Sequence, residues 1–256
     1  GAVVIDNSSA FRMDPEVPLV VPEVNPQAIL KHKGIIANPN CSTIIMVMAL
    51  KPIYDLAKIK RVIVSTYQAV SGAGKEGIDE LDAQVREHSE GREMTANILP
   101  SSSAEKHYPI AFNLIPQIDV FCDNLYTKEE MKMVNETKKI MEDYEMRITA
   151  TTIRVPVYRS HSESVNIELE KEVDLGAMRE ALAKFPGVTV QDDPSKQEYP
   201  MPLYTSEKDD VYVGRLRRDE SCEKSYNMWV VGDQIRKGAA LNTLQIAETM
   251  IKNGWI

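Results

Sequence analysis

The sequence contains little cysteine and no long apolar run. Its three cysteines, Cys41, Cys122 and Cys222, are odd in number and widely spaced. This usage favours a reducing compartment and gives no metal-ligand spacing. No apolar stretch reaches the roughly 18 residues of a membrane-spanning helix, and the N-terminus has no signal-peptide pattern. We therefore expect a cytoplasmic protein that binds no membrane and no metal.

An excess of positive charge is also missing. The net charge is −8, which argues against a nucleic-acid surface because such a surface needs clustered Lys and Arg. Hydrophobic residues make up 43% and charged residues 27% of the chain, as in ordinary globular proteins. The 256 residues are enough for one large domain or two smaller ones.

The segment around Cys41 carries the strongest local signal. The apolar run of residues 34–37 predicts a buried strand that ends at Pro39, and residues 42–57 predict a helix. Cys41 would then lie at a helix N-terminus, where free N–H groups and the helix dipole lower a thiol pKa from about 8.5 to about 3.5–7.5. The same N–H groups suit an oxyanion. A buried structural cysteine beside a helix cap is the alternative.

Further elements follow without strict strand–helix alternation. Strands are predicted at residues 59–68, 146–156, 164–169, 210–219 and 226–232, and helices at 75–87, 127–144, 174–185 and 238–251. A capping box, Thr127 with Glu130, marks the start of the helix at 127–144. Residues 91–109 are polar and predict a surface loop. The pattern favours a mixed sheet covered by helices, an α+β domain.

Five segments resemble one family in the family's order: residues 38–45 (Asn-Pro-Asn-Cys-Ser-Thr-Ile-Ile), 65–74 (Ser-Thr-Tyr-Gln-Ala-Val-Ser-Gly-Ala-Gly), 112–119, 154–162 and 237–240. Together they resemble the aspartate-β-semialdehyde dehydrogenases over nearly the whole chain. The resemblance implies two regions, α/β and α+β. Residues 1–41 and 237–256 would be a remnant of a Rossmann-type NADP-binding domain. Residues 42–236 would be a mixed-sheet catalytic and dimerisation domain.

The family's Gly-rich turn after the first strand is absent from the sequence. We expect the chain to be a fragment that lacks roughly the first quarter of the enzyme. The resemblance also implies a homodimer or a higher homo-oligomer.

The resemblance gives Cys41 the role of nucleophile, His161 that of its acid/base partner, and Gln68 that of orienting the acyl intermediate. A near-neutral pKa suits His161 to proton transfer both ways. Taken alone, His161 and Gln68 would be ordinary polar residues at strand ends.

The remaining implied contacts are charged. Arg12, Asn40 and Lys132 would bind the substrate phosphate, Glu129 the α-ammonium, and Arg154 the α-carboxylate through a bidentate fork. Judged singly, Arg12 is a solvated charge, and Glu129 with Lys132 is an exposed intrahelical pair.

The cofactor implied is NADPH, although the choice between NADPH and NADH would be made by the missing part. Its nicotinamide end would contact residues of the 71–74 turn and of the last helix: Ser71, Gly72, Gly74, Lys237, Asn242 and Gln245. The family usually has Asp-Asn before that helix, whereas this chain has Asp233-Gln234, which leaves the local hydrogen bonding open.

The activity implied is reduction of L-aspartyl-4-phosphate to L-aspartate-4-semialdehyde through a cysteine thioacyl intermediate. One alternative is a related reductase of the N-acetylglutamyl-phosphate type. Glu129 argues against it, since an acetylated nitrogen carries no positive charge. A catalytically inert dimerisation module is the other alternative, and the intact set of Cys41, Gln68, Arg154 and His161 argues against it.

Overall fold

The computed structural model describes residues 1–255; Ile256, the last residue of the predicted segment 237–256, lies outside this range. The strands are β1 Val4–Asp6, β2 Ile35–Ala37, β3 Ile59–Gln68, β4 Arg147–Arg154, β5 His161–Leu169, β6 Val188–Val190, β7 Val211–Arg218 and β8 Ser225–Gly232. The α-helices are α1 Cys41–Leu56, α2 Lys75–Ser89, α3 Lys128–Ile140, α4 Leu175–Lys184, α5 Pro202–Thr205 and α6 Leu241–Asn253. A π-helical turn, Arg236–Ala240, leads into α6.

Six strands form one mixed sheet in the order β4-β3-β5-β8-β7-β6. The outer pairs β3/β4 and β6/β7 are parallel, and the inner pairs are antiparallel. The predicted mixed sheet is therefore confirmed. Strand β5 begins at His161, three residues earlier than predicted, so His161 belongs to the sheet itself.

Helix α1 lies across one face of this sheet and is buried nearly all round. Residues 42–50 are almost without solvent contact, as are Pro52 and Ile53. A helix that is apolar on every side belongs inside a core, and α1 packs between the sheet and helices α3 and α4. Burial of this helix fixes the position of its first residue, Cys41.

The opposite face of the sheet is half-exposed. Tyr67 and Trp229 lie on it with their ring centroids 5.5 Å apart. No described helix covers this face in the way that α1 covers the other.

The small parallel sheet of β1 and β2 has its own apolar cluster with α6, formed by Val20, Ala28, Ile29, Ile36, Ile246 and Met250. The predicted division into residues 1–41 with 237–256 and residues 42–236 remains a prediction, although this second core agrees with it. In residues 1–255 no helix is long and apolar enough to cross a membrane.

Candidate active site

Cys41 is the first residue of α1, as the strand–turn–helix pattern predicts. Asn40 is the N-cap, and its Oδ1 accepts a hydrogen bond from the backbone N–H of Thr43 at 3.2 Å. The side-chain amide of Asn40 also donates to Glu129 Oε1 at 2.9 Å. The cap is therefore held from both sides, which fixes the backbone that carries the thiol.

The structure does not show the predicted lowering of the Cys41 pKa. Burial, and then the nearby Glu129 carboxylate, raise the pKa of Cys41 to about 12. The Ser42 N–H and the Arg154 guanidinium act in the opposite direction but are outweighed. The helix N-terminus alone therefore does not produce a thiolate here, because desolvation disfavours the charged form more strongly.

Three predicted residues lie at adjacent ends of neighbouring strands, on the face of the sheet that α1 covers. Gln68 of β3 is opposite Arg154 of β4, and β5 begins at His161 on the other side of β3. Gln68 Nε2 donates to Glu129 Oε1 at 3.2 Å and lies 3.4 Å from His161 Nε2. The sheet register thus brings together residues that are far apart in sequence.

The ring of His161 has a defined tautomer. The backbone N–H of Ala69 donates to its Nδ1 at 3.1 Å, so a neutral ring carries its proton on Nε2. Burial, and then the Arg154 charge, hold the pKa of His161 well below its usual value. Sequence reasoning expected a near-neutral pKa, and the full burial of the ring explains the difference.

Arg154 is a buried cation with unused donors. Its Nη1 donates to the Ala69 carbonyl at 2.7 Å, but its buried Nε has no hydrogen-bond partner within the described residues. The side chain is only 3% exposed. The free N–H groups of a guanidinium suit a planar anion such as a carboxylate.

Charged side chains of α3 and of the segment after β1 complete the arrangement. Lys132 Nζ contacts Glu129 Oε2 at 3.2 Å and Asp119 Oδ2 at 3.0 Å, so the predicted intrahelical pair exists, but Glu129 is buried and the pair is not an exposed one. Arg12 Nε donates to the Asn38 carbonyl at 2.9 Å, and its Nη1 lies 3.3 Å from Glu136 Oε1. Arg12 is therefore a buried, bound side chain and not a solvated surface charge.

One open cavity of about 470 Å³ connects these groups. Its lining includes Arg12, Asn40, Cys41, Gln68, Ser71, Gly72, Gly74, Glu129, Lys132 and Arg154. His161 lies directly behind this wall, since a Cβ on Gly72 would stand 3.3 Å from its Nε2 and 2.7 Å from Arg154 Nη1. A glycine at 72 therefore lets the turn approach both side chains.

The structure does not bring Lys237 to the cavity. Its ammonium is 1% exposed and donates to Glu23 Oε2 at 2.6 Å, Asn242 Oδ1 at 3.0 Å and Gln245 Oε1 at 2.6 Å. All three of its N–H groups are thus used inside the protein. The Lys237, Asn242 and Gln245 side chains therefore form an internal cluster, and their contact with the cofactor remains a prediction.

The backbone before α6 does reach the cavity. Gly238 and Ala239 line it, and a Cβ on Gly238 would stand only 3.0 Å from Cys41 Cβ. The unusual Gln234 also has partners, since it accepts from the Ser160 N–H at 2.9 Å and donates to Ser71 Oγ. The longer amide therefore joins β8 to the 71–74 turn.

Glu136 was missed by sequence reasoning. It lies two helical turns after Glu129 on α3, and its carboxylate contacts both Arg12 and Asn40. The spacing of Glu129, Lys132 and Glu136 on one helix face was the available signal. Within residues 1–255 no cluster of His, Cys, Asp and Glu could hold a metal ion.

Known families match both regions of the chain. Residues 50–237 match the family described as semialdehyde dehydrogenase, dimerisation domain, and residues 1–32 match semialdehyde dehydrogenase, NAD binding domain. The fold and site therefore define an oxidoreductase of the semialdehyde dehydrogenase class with a nucleotide-binding region. The dimerisation-domain match also supports a homo-oligomer.

Individual relatives narrow this class. The chain is 57% identical to aspartate-semialdehyde dehydrogenase of Aquifex aeolicus over 100% of its own length and 74% of that protein. It is 53% identical to that of Bacillus subtilis, with 98% and 73% covered. The crystal structure of aspartate semialdehyde dehydrogenase II of Vibrio cholerae complexed with ASA has a TM-score of 0.91 at 47% identity, covering 98% of this chain and 72% of that one. The chain belongs to the aspartate-semialdehyde dehydrogenase family, and the predicted resemblance is confirmed.

Proposed function

We propose that the chain reduces L-aspartyl-4-phosphate to L-aspartate-4-semialdehyde with NADPH, through a thioacyl intermediate on Cys41. The observation that carries this proposal is the single cavity in which a helix-terminal thiol faces a buried cation with unused donors, Arg154. A substrate with two anionic ends and one cationic group matches the charges around that thiol.

Each substrate group has a counterpart in the cavity. Arg154 would bind the α-carboxylate with the donors it leaves free, because a guanidinium meets a carboxylate through two parallel hydrogen bonds. Glu129 would bind the α-ammonium, and its present partners are themselves donors: Asn40, Gln68 and Lys132. The phosphate would lie beside Arg12, Asn40 and Lys132. These assignments place the β-acyl carbon next to Cys41.

The first chemical step is acyl transfer to sulfur. The C–S bond forms, the bond from carbon to the phosphate oxygen breaks, and the thiol proton leaves with the phosphate as hydrogen phosphate. This proton balance needs no free thiolate before substrate binds, which suits the raised pKa of Cys41. Covalent catalysis of this kind divides one difficult displacement into two easier steps.

His161 acts after the thioester has formed. With its proton on Nε2, it would donate a hydrogen bond to the thioester oxygen across the gap left by Gly72. Gln68 would hold the acyl group, since its own amide is fixed by Glu129 and by the Thr66 hydroxyl at 3.0 Å. After hydride has been added to the thioester carbon, the resulting oxyanion re-forms its C=O bond as the C–S bond breaks, which releases the aldehyde and the Cys41 thiolate, and a proton from solvent restores the thiol.

Bound NADPH supplies the hydride that reduces the thioester carbon. The cavity wall opposite α3 suits a flat ring, because Ser71, Gly72, Gly74, Gly238 and Ala239 have small side chains or none. We assign Ser71, Gly72 and Gly74 to the nicotinamide side. We also propose that residues 1–41 and 237–256 belong to the cofactor-binding domain, and that residues 42–236 form the catalytic domain of a homodimer.

The proposal is tested in the reverse direction, where aspartate semialdehyde, phosphate and NADP should yield NADPH. Replacement of Cys41 by Ala should abolish turnover, while replacement of the exposed Cys222 by Ala should leave it unchanged. Greater activity with N-acetylglutamate semialdehyde would favour the alternative reductase. A folded, dimeric protein without activity on either aldehyde would favour an inert dimerisation module.

A further inference from the structure

Glu136 is a buried carboxylate that the proposed chemistry does not use. It is 1% exposed on the inner face of α3. Its Oε1 lies 3.3 Å from Arg12 Nη1, and its Oε2 accepts a hydrogen bond from the Asn40 backbone N–H at 2.6 Å. One carboxylate thus joins a guanidinium at the cavity wall to the residue immediately before the nucleophile.

The two groups that it joins have different origins. Arg12 follows β1, whereas Asn40 follows β2 and caps α1. The other contacts of Arg12 are to backbone carbonyls, those of Asn38 and Asn7, which supply no charge. Glu136 is therefore the charged group that fixes the guanidinium relative to the cap of the catalytic helix.

We propose that Glu136 is a positioning residue that holds Arg12 and Asn40 in one arrangement, so that a phosphate group meets a preset guanidinium beside Cys41. The proposal rests on the proposed function, because it takes Arg12 as a phosphate contact. It goes further by assigning the residue on which the affinity of that contact depends.

The ionisation of Glu136 supports this role. Burial raises the pKa of Glu136 to about 7, and the charge of Glu129 also raises it, whereas Arg12 and the Asn40 N–H favour the carboxylate. The charge of Lys139, on the same helix, also attracts this carboxylate. Both direct neighbours are donors, so a proton on Glu136 removes one of the two acceptors that they need. The link is therefore half-formed at about pH 7, strengthens above that pH and weakens below it.

Protection of Cys41 by inorganic phosphate tests the proposal without cofactor or turnover. The protein is treated with iodoacetamide at about pH 9, and peptide mapping gives the phosphate concentration that halves the labelling rate of Cys41. In Glu136→Gln the side-chain amide offers one oxygen and one NH₂ group, so the NH₂ group must face one of the two donors, Arg12 or the Asn40 N–H. We expect that concentration to rise about ten- to hundredfold, as for loss of a charge-assisted hydrogen bond.

Lys138→Gln is the matched control. It changes one charge on the same helix, at a side chain that makes no hydrogen bond within residues 1–255, and should leave the half-protecting concentration unchanged. Glu136→Asp keeps the charge but shortens the side chain, so it should show an intermediate loss even if Glu136→Gln folds poorly. Equal phosphate protection in wild type and either folded Glu136 variant would overturn the proposal.

A pH series separates positioning from a merely structural role. Between pH 6 and 8 the phosphate concentration that halves the labelling rate of wild-type Cys41 should fall as the pH rises, and by more than the second ionisation of phosphate alone accounts for. In Glu136→Gln this concentration should show only the change due to phosphate. Parallel profiles would overturn the proposal. Failure of phosphate to protect wild-type Cys41 would instead remove the phosphate site, while turnover in the reverse assay is a separate measurement of the proposed function.

Discussion

The backbone N–H of Ala69 donates a hydrogen bond to Nδ1 of His161 at 3.1 Å. This contact makes Nε2 the protonated nitrogen of a neutral ring and leaves it facing the side of the cavity. Gln68 Nε2, 3.4 Å away, is itself a donor to Glu129, so it offers the ring no acceptor. We therefore propose that His161 donates a hydrogen bond to substrate and does not remove the proton of Cys41.

The first prediction concerns this tautomer. Nitrogen-15 spectra of the protein should show a protonated Nε2 and an unprotonated Nδ1 for His161 at pH 7. His161→Asn should lower kcat by about 10²–10³-fold, the usual contribution of one hydrogen-bond donor to an oxyanion in the transition state. It should leave the alkylation rate of Cys41 unchanged, since the ring does not form the thiolate. A protonated Nδ1, or a large fall in the alkylation rate, would contradict the assignment.

The second prediction concerns Cys41 without substrate. Because burial raises its pKa to about 12, it should react with iodoacetamide more slowly than the exposed Cys222 at pH 7. Its rate should increase about tenfold per pH unit up to pH 10, because alkylation follows the thiolate fraction. Peptide mapping at each pH gives both rates. A plateau below pH 8 would restore the activated thiolate that the helix N-terminus alone predicts.

The site contains features that the sequence alone predicts and features that it does not. The turn at Cys41 and the capping box at Thr127 are local patterns, and both are confirmed. The sign of the pKa shift of Cys41 is not local, because it depends on how much protein covers the thiol. Helix propensity and dipole arguments contain no information on that burial.

Contacts between residues that are far apart in the sequence are the second feature that local patterns do not predict. The ammonium of Lys237 is neutralised by Glu23, a residue 214 positions away, and no spacing rule connects the two. The adjacency of Gln68, Arg154 and His161 likewise comes from the register of three strands. The resemblance to a family predicted that these three residues lie in one site, whereas the sequence pattern predicted only the individual strands.

The third prediction concerns Arg154, whose Nε has no partner in the described chain. Arg154→Met should raise the KM for aspartate semialdehyde by at least about tenfold, because a charge-assisted pair is lost. The same change should raise Tm by a few degrees, because an unpaired buried cation is replaced by an apolar side chain. Steady-state kinetics and calorimetry on one preparation test both. A lower Tm with an unchanged KM would mean that Arg154 has a structural role.

The fourth prediction concerns the cluster around Lys237. Lys237→Met leaves the Glu23 carboxylate and the Gln245 carbonyl without their donor, which should lower the free energy of unfolding by about 3–5 kcal/mol. Lys252→Met, on the exposed surface of α6, is the control and should change it by less than about 0.5 kcal/mol. Urea unfolding gives both values. If Lys237 instead contacts the cofactor, its replacement will raise the KM for NADPH with little loss of stability.

The last prediction concerns stability in mild acid, where His161 has a distinct signature. Its folded-state pKa is held well below the ordinary value of 6.5 by burial and by Arg154. Between the two pKa values the unfolded chain binds a proton that the native protein does not. The free energy of unfolding should therefore fall as pH decreases below about 6.5, by about 1.4 kcal/mol per pH unit for this one group.

Other groups titrate in the same range, so the effect is measured as a difference. Burial raises the pKa of Glu163 well above its usual value and raises that of Glu136 to about 7, and both contributions act in the opposite direction to that of His161. They are shared by wild type and His161→Asn, and they cancel when the two proteins are compared. Urea unfolding at pH 5 and pH 7 should show that the wild type loses about 2 kcal/mol more than the variant over this interval. Identical losses would mean that His161 accepts a proton in the folded protein, which its hydrogen bond from Ala69 and its burial do not allow.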